Sequence, residues 1–431
     1  MAPNYRNFIA VRQQKRLLVN FLSSYFMSLA AKKFQDDEFL FITAGGFDGK
    51  DKDKAFLVSG GCTRDYDLAC GNHEEADTRV WLHASVFSAD QVIIYSPDTD
   101  VFFIGLPIVL SLNKTVYVQL KDSPYDCIFL CMNKLIDLIM KDIQLQDISS
   151  VMNCLQLLYI YSGCDFVSYF RGFGKKTFFD VFRKCSSFIV GDVEFSDIYG
   201  QSGLMPFYRL ICSIYFTKHC TAFLPYSNPE ALFDSFSAED VHDRHILFVT
   251  EIRERQWERV VSEVEMMPNP EALNLHWKRC CWVFQYWSQC KQNLVTFGDL
   301  SDFGWNISND KLIIVWDIDL NFQKVERTVQ WYTKGCGCKT GCMTNRCKYR
   351  KGRGEGFCGP GCKCINCLNL PSSKQGPLNF SFECEDTDDD FEIFDDLDDI
   401  QEEDITDIIT DEQTDRQVDA DDYWMYSDED L

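Results

Sequence analysis

Eight cysteines fall within residues 336–367, and few large apolar side chains stand between them. They are Cys336, Cys338, Cys342, Cys347, Cys358, Cys362, Cys364 and Cys367, spaced C-x-C-x3-C-x4-C-x10-C-x3-C-x-C-x2-C. Thiolates this close cannot all serve isolated tetrahedral sites, so the spacing suits a small cluster in which sulfurs bridge metal ions. Zinc is the expected metal, because it accepts thiolate ligands in tetrahedral geometry. With so little to bury, the segment needs that metal in order to fold. A disulfide knot would require an oxidising compartment, and the N-terminus MAPNYRNFIAVRQQKR carries no signal-peptide core. The remaining thirteen cysteines are expected as reduced thiols.

Charge divides the chain unevenly. From Glu383 onward there are 24 acidic residues and one basic, Arg416, a net −23 out of the total −24. This low-complexity tail cannot bury enough apolar surface to fold alone and is expected to be disordered. The chain before it is nearly neutral, so nucleic acid is not excluded as a partner. Residues 331–371 hold eight Lys/Arg against one Glu, a local excess suited to phosphates. No apolar run is long enough for a membrane span, so no membrane is expected as a partner.

Hydrophobic patterning points to an α/β domain. Residues 8–33 read as a helix, 39–46 as a strand entering a glycine turn, and 55–58 as a short strand. A helix is expected from Glu74, with Val80, Ala84 and Phe87 on one face. QVIIYS at 91–96 reads as a buried strand and TVYVQL at 115–120 as another. Helical patterns follow at roughly 130–141 and 151–161, and GFGKKTFFDVFRK at 172–184 reads as a glycine turn feeding a helix. Strands alternating with helices suggest a parallel sheet. Residues 203–293 look mostly helical, and 301–332 read as short strands and turns rich in Trp. The expected division is 1–200, a connecting region 201–330, the cysteine module 331–371 and a tail 372–431.

Three segments offer converging carboxylates: NHEEADTR at 72–79, SPDTD at 96–100 and SGCDF at 162–166. Carboxylates at the ends of strands in an α/β sheet lie where ligands bind, and hard oxygen ligands suit Mg²⁺ or Mn²⁺. Taken singly, an acid at a helix start is a dipole partner and D-x-D after a strand is a turn. Their order changes the weighting. The run EAD, then SPDTD with Asp98 21 residues after Asp77, then SGCDFVSYFRGFGKKTFFDVF, resembles the flap-endonuclease family of PIN-like 5′ nucleases. The resemblance covers about residues 74–184. It implies a PIN-like, flap-endonuclease-like parallel sheet flanked by helices. It also implies metal-binding, catalytic roles for Glu75, Asp77, Asp98, Asp100 and Asp165, and a DNA grip by Gly172, Gly174, Lys175 and Lys176. The family's first strand, with its early aspartate, has no counterpart here, so the domain reads as N-terminally incomplete. Asp48 in GGFDGK matches a further family acid weakly.

The frame GCGCKTGC…RC…CGPGCKC–NC resembles the tesmin-type CXC domain over about 35 residues. That resemblance implies zinc and contact with DNA, for which Arg346, Lys348, Arg350, Lys351 and Arg353 are the available cations. Such domains carry nine cysteines, and Tyr349 stands where the ninth belongs. Three zincs in a nine-cysteine frame and two zincs on eight thiolates both remain open. The combination of domains also resembles invertebrate proteins of mobile-element origin.

Two functions compete. The first is a nuclear DNA-binding protein whose Mg- or Mn-dependent nuclease domain hydrolyses phosphodiesters under targeting by the zinc module. The second is an inactive nuclease-fold scaffold acting as a zinc-dependent DNA- or chromatin-binding protein. In either, the acidic tail would suit basic chromatin proteins. The six histidines form no nucleophile triad, and no P-loop is present.

Overall fold

The computed structural model describes residues 11–333 except 37, 74, 97, 124–125, 147, 149, 192–200, 258–259, 261–262, 309–310 and 318–319. It also describes 338, 341–342, 347, 358–359, 362, 367 and 369. The chain divides into units 1–378 and 379–431, and the second lies outside the described residues together with the rest of the expected tail.

Helix α1 (Arg12–Lys33) has no interior Gly or Pro and ends on Lys32 and Lys33, whose charge suits the C-terminal dipole. It leads into an antiparallel sheet of β1 (Phe41–Ala44), β2 (Ala55–Ser59) and β3 (Cys62–Asp65). Helix α2 (Ala76–Val86) follows, then β4 (Gln91–Tyr95) and the short α3 (Thr99–Gly105). β4 pairs in parallel with β5 (Thr115–Ser123), which pairs antiparallel with β6 (Asp126–Cys131). Among the described residues the expected parallel sheet is therefore one parallel pair in a mixed α/β fold. The buried-strand reading of QVIIY needs correction as well. Only Ile94 is buried, because side chains alternate along β4 and the face bearing Gln91, Ile93 and Tyr95 is open to solvent.

The rest is largely helical: α4 (Met132–Lys141), α5 (Val151–Tyr161), α6 (Lys175–Val190), α7 (Gln201–Lys218), α8 (Pro229–Asp234), α9 (Val241–Gln256) and α10 (Pro270–Ser288). A hairpin of β7 (Trp305–Ser308) and β8 (Lys311–Ile314) and a last helix, α11 (Leu320–Thr333), complete it. Two elements differ from expectation. β6 occupies the start of what reads as a helix from 130, and α11 replaces expected strands and turns.

One hydrophobic core runs from Trp81 through Ile94, Val116, Leu158, Phe182, Phe207, Phe248 and Trp287 to Trp305. The region after residue 200, expected as a connector, supplies much of this core, so residue 200 is not a packing boundary. Trp81 is fully buried, and its indole lies against Gly105, where an added Cβ would come within 1.8 Å of the ring. That bare glycine lets α2 meet α3. Truncating Trp81 to Ala would cost about 3–5 kcal/mol.

Candidate metal centres

The N-terminus of α2 carries Glu75 and Asp77 and is held by the segment that follows α10. Asn72 exchanges two hydrogen bonds with Val295: its Nδ2 donates to the carbonyl (2.9 Å) and its Oδ1 accepts from the amide (2.7 Å). His73 donates from Nε2 to the Gln292 carbonyl (2.7 Å), which leaves Nδ1 to accept from the Thr78 hydroxyl (2.9 Å). Burial lowers the His73 pKa and keeps the ring neutral for this role. The Thr78 hydroxyl also meets Tyr286 Oη at 3.2 Å. Arg79 Nη2 donates to the carbonyls of Gly71 (2.7 Å) and His73 (3.3 Å). Residues 286–295 thus clamp the loop from which the first two acids project.

Asp98 caps α3, accepting from the Asp100 amide at 2.9 Å. Asp100 is 7% exposed and accepts a short hydrogen bond from the Tyr159 hydroxyl on α5, which also meets the Thr99 hydroxyl at 2.8 Å. Asp165 sits in the exposed turn closed by Cys164 and Val167, after Gly163 at φ 111°. Lys175 donates to the Gly163 carbonyl (3.0 Å) with its ammonium 4.3 Å from the Tyr159 ring centroid. It thereby ties this turn to α5 and α6.

The five acids act on one another. Burial first, then the charges of Asp77, Asp165, Asp100 and Asp98, raise Glu75 to about 7. Burial, then Asp98 and Asp165, raise Asp77. Asp100 rises to about 6, chiefly through burial. Asp98 and Asp165 add to the rise, while the Tyr159 hydrogen bond and Lys175 oppose it. Three segments far apart in sequence therefore place their carboxylates in one electrostatic neighbourhood. The group is loose: among the described residues, only cysteines bring three ligand atoms within 4.8 Å of one another. Asp48 plays no part in it. Its carboxylate is held by Arg16 Nε (2.5 Å) and Asn20 Nδ2 (2.9 Å).

Of the residues expected to grip DNA, Gly172 takes φ 82°, the left-handed turn that favours glycine, and Gly174 caps α6 with open space at its Cα. Lys176 is exposed in the first turn of α6. Lys175 is exposed as well, and its ammonium reaches the acid-bearing turn through the Gly163 carbonyl. Tyr159 carries no local signal, and His73 and Thr78, though inside the NHEEADTR segment, gain their roles from Gln292 and Tyr286, 219 and 208 residues away.

The cysteine cluster is tight. The sulfurs of Cys342, Cys358, Cys362 and Cys367 lie within 4.8 Å of one another, as do those of Cys338, Cys342 and Cys347. Cys342 belongs to both groups, so one sulfur is placed to bridge. Its backbone at φ 52°, after Gly341 at φ 49°, turns the chain back on itself there. The Cys342 and Cys362 sulfurs are 3.8 Å apart and those of Cys347 and Cys358 3.5 Å. A zinc–sulfur bond of about 2.3 Å gives a tetrahedral edge of roughly 3.8 Å, so the donor set fits zinc. Asn369 supports it, donating from Nδ2 to the Cys358 sulfur (3.5 Å) and accepting at its carbonyl from the Cys358 amide (2.6 Å). Cys336 and Cys364 lie outside the described residues, as do Arg346, Lys348, Arg350, Lys351 and Arg353.

Comparison of the chain with protein-family models, with curated proteins and with solved structures returned no match.

Proposed function

We propose that this chain is a DNA-acting protein that hydrolyses phosphodiester bonds at the carboxylate cluster and contacts DNA through a zinc-bound cysteine module. The observation that carries the reading is the meeting of Glu75, Asp77, Asp98, Asp100 and Asp165 from three distant segments. A structural domain gains nothing from gathering carboxylates whose burial and mutual charge raise the pKa values of Glu75, Asp77 and Asp100, whereas a divalent cation reverses that penalty. Mg²⁺ or Mn²⁺ bound there supplies charge neutralisation at a phosphate and activation of water.

The chain's own residues then have separable tasks. The Tyr159 hydroxyl orients Asp100. The capping bond from Asp98 fixes the start of α3 and the angle of both its acids. Lys175 holds the turn bearing Asp165. Gly172 and Gly174 open the approach to the N-terminus of α6, where exposed Lys176 and the backbone amides attract a phosphate. The PIN-like, flap-endonuclease-like reading and a nuclear location belong to this proposal.

A second reading, a nuclease-fold scaffold whose zinc module alone binds DNA or chromatin, is favoured by the looseness of the carboxylates. Incubating zinc-loaded protein and its Asp98→Asn variant with flap, single-stranded and duplex DNA in Mg²⁺ or Mn²⁺ separates the two. Asn keeps the helix cap but removes the charge. Cleavage by the wild type that Asp98→Asn loses by at least roughly a hundred-fold supports the enzyme. DNA binding without cleavage leaves the scaffold.

A further inference from the structure

An aromatic recess opens one residue from the carboxylates. Phe166, which follows Asp165, joins Trp282 and Tyr286 of α10 with Phe297, Asp299 and Ile307 around a cavity of about 440 Å³. This is within the size range of small-ligand sites. Trp282 lies nearly parallel to Tyr286 (centroids 5.6 Å apart, 29°) and to Phe297 (6.0 Å, 22°), and Tyr286 and Phe297 are 5.5 Å apart at 32°. Phe166 meets Trp282 at 56° and Tyr286 at 76°, forming a wall across the tiled rings. The inner rings are covered, Trp282 being 9% exposed and Tyr286 3%. The outer edge is open, with Phe297 47% exposed and Ile307 67%. A stack of planar rings thus ends at solvent, where another planar ring can continue it.

The one charged side chain lining the recess is Asp299. Its Oδ1 accepts from the Ser301 amide (2.9 Å) and hydroxyl (2.8 Å), and these bonds hold the carboxyl below its ordinary range. Its second oxygen makes no hydrogen bond among the described residues. A carboxylate at the edge of an aromatic stack favours a flat ligand with N–H donors on its rim and opposes one that presents carbonyls. Guanine, cytosine and adenine carry an exocyclic amino group. Thymine and uracil offer two carbonyls around a single N–H.

The recess is joined to the acids twice. Asp165 and Phe166 are consecutive, and Thr78, bonded to Tyr286, follows Asp77. We propose that the recess takes an unpaired, amino-bearing nucleobase of a strand whose phosphates run past the carboxylate cluster. The inference rests on the reading of the ligand as nucleic acid and adds where the base sits and which bases fit. An apolar protein segment would cover Phe297 and Ile307 but leave Asp299 unmatched, so the base is favoured.

The test uses the full zinc-loaded chain with calcium in place of magnesium. Its probes are short labelled thymidine strands carrying one central guanine, cytosine, adenine, thymine or abasic position. The amino-bearing bases should bind roughly ten-fold tighter than the abasic strand, the scale of one stacked base, with thymine between them. Phe297→Ala should erase the difference and Phe297→Trp should keep it. Asp299→Asn retains the cap and should bring thymine level with the others. Equal binding of base-bearing and abasic strands, or an unaltered difference in Phe297→Ala, overturns the proposal. Competition by an apolar peptide with no base dependence would overturn it too and assign the recess to protein. Cleavage in magnesium is read separately. Base-dependent binding without cleavage removes only the nuclease reading, and cleavage without base dependence removes only the recess.

Discussion

The cysteines lie within 32 residues of one another, and the sulfurs of the six described ones gather into two overlapping tight groups. The carboxylates come from three segments, the first and last of them, at Glu75 and Asp165, 90 residues apart, and no three of them approach as closely. The difference is one of charge and of what holds each group. Neutral thiols tolerate one another in a small buried cluster, so Cys342, Cys347 and Cys358 can pack together. Ionised carboxylates do not, and theirs are kept near one another only because a large core fixes α2, α3 and α5 around them. The core creates the carboxylate cluster, whereas the cysteine sulfurs are placed to hold a metal that would itself build the module around them.

The largest effect that could break this contrast is chelation. Structural zinc contributes on the order of 10 kcal/mol to the fold that holds it. Stripping it should abolish amide-exchange protection across 336–367 while α5 and α10 stay protected. Simultaneous loss in all three, or protein that contains no zinc after expression in metal-replete medium, would show that the module is not metal-built.

A smaller effect concerns Tyr159. Tyr159→Phe removes a hydrogen bond to a carboxylate, worth about 1.5–3 kcal/mol. Asp100, released from a bond that lowers its pKa, should titrate above its present value of about 6. Thermal melting with a carbon-13 titration of Asp100 checks both. An unchanged Asp100 pKa would mean that the short bond is unimportant.

The pH dependence of the metal-free fold is subtler. Glu75 is raised from 4.5 to about 7, so its contribution to stability is fully present below 4.5 and is lost as pH rises through about 7. Melting temperatures of metal-free protein should fall over that window, and Glu75→Gln should flatten the fall. An equal fall in the variant would place the cause elsewhere. The smallest effect is expected from removing residues 383–431. Losing a net −23 should raise DNA affinity, and the gain should shrink with salt, since screening acts over about 10 Å at 0.1 M. If DNA affinity at low salt is unaltered by the deletion, charge competition from the tail is excluded.

What was legible beforehand follows the same contrast. The cysteine ligands announce themselves by spacing, because a local cluster is written in local sequence. The acids could be named from three short segments, but Tyr159 and the clamp from 286–295 could not. Those partners lie between about 60 and 220 residues away and carry no motif of their own. Helix α2 and strand β5 follow their patterns closely. Strand β6 carries no clear period in its short apolar run; its antiparallel pairing with β5 takes in Leu130 and Cys131, the first two residues of the helix expected from about 130. Helix α11 hides behind β-branched and aromatic residues. Its buried Val329 sits with Val260 and Met266, a packing partner no local pattern could supply. The aromatic recess joins Phe166 to residues 282–307 and was equally invisible.

The central claim is that the carboxylates form a hard-cation site independent of the zinc module, and Mn²⁺ binding followed by electron paramagnetic resonance on zinc-saturated protein tests it most directly. One or two Mn²⁺ ions should bind per chain, and Asp98→Asn or Asp100→Asn should abolish at least one while the zinc content stays unchanged. Wild-type protein that binds no Mn²⁺, or variants that bind it as well as the wild type, would contradict the account.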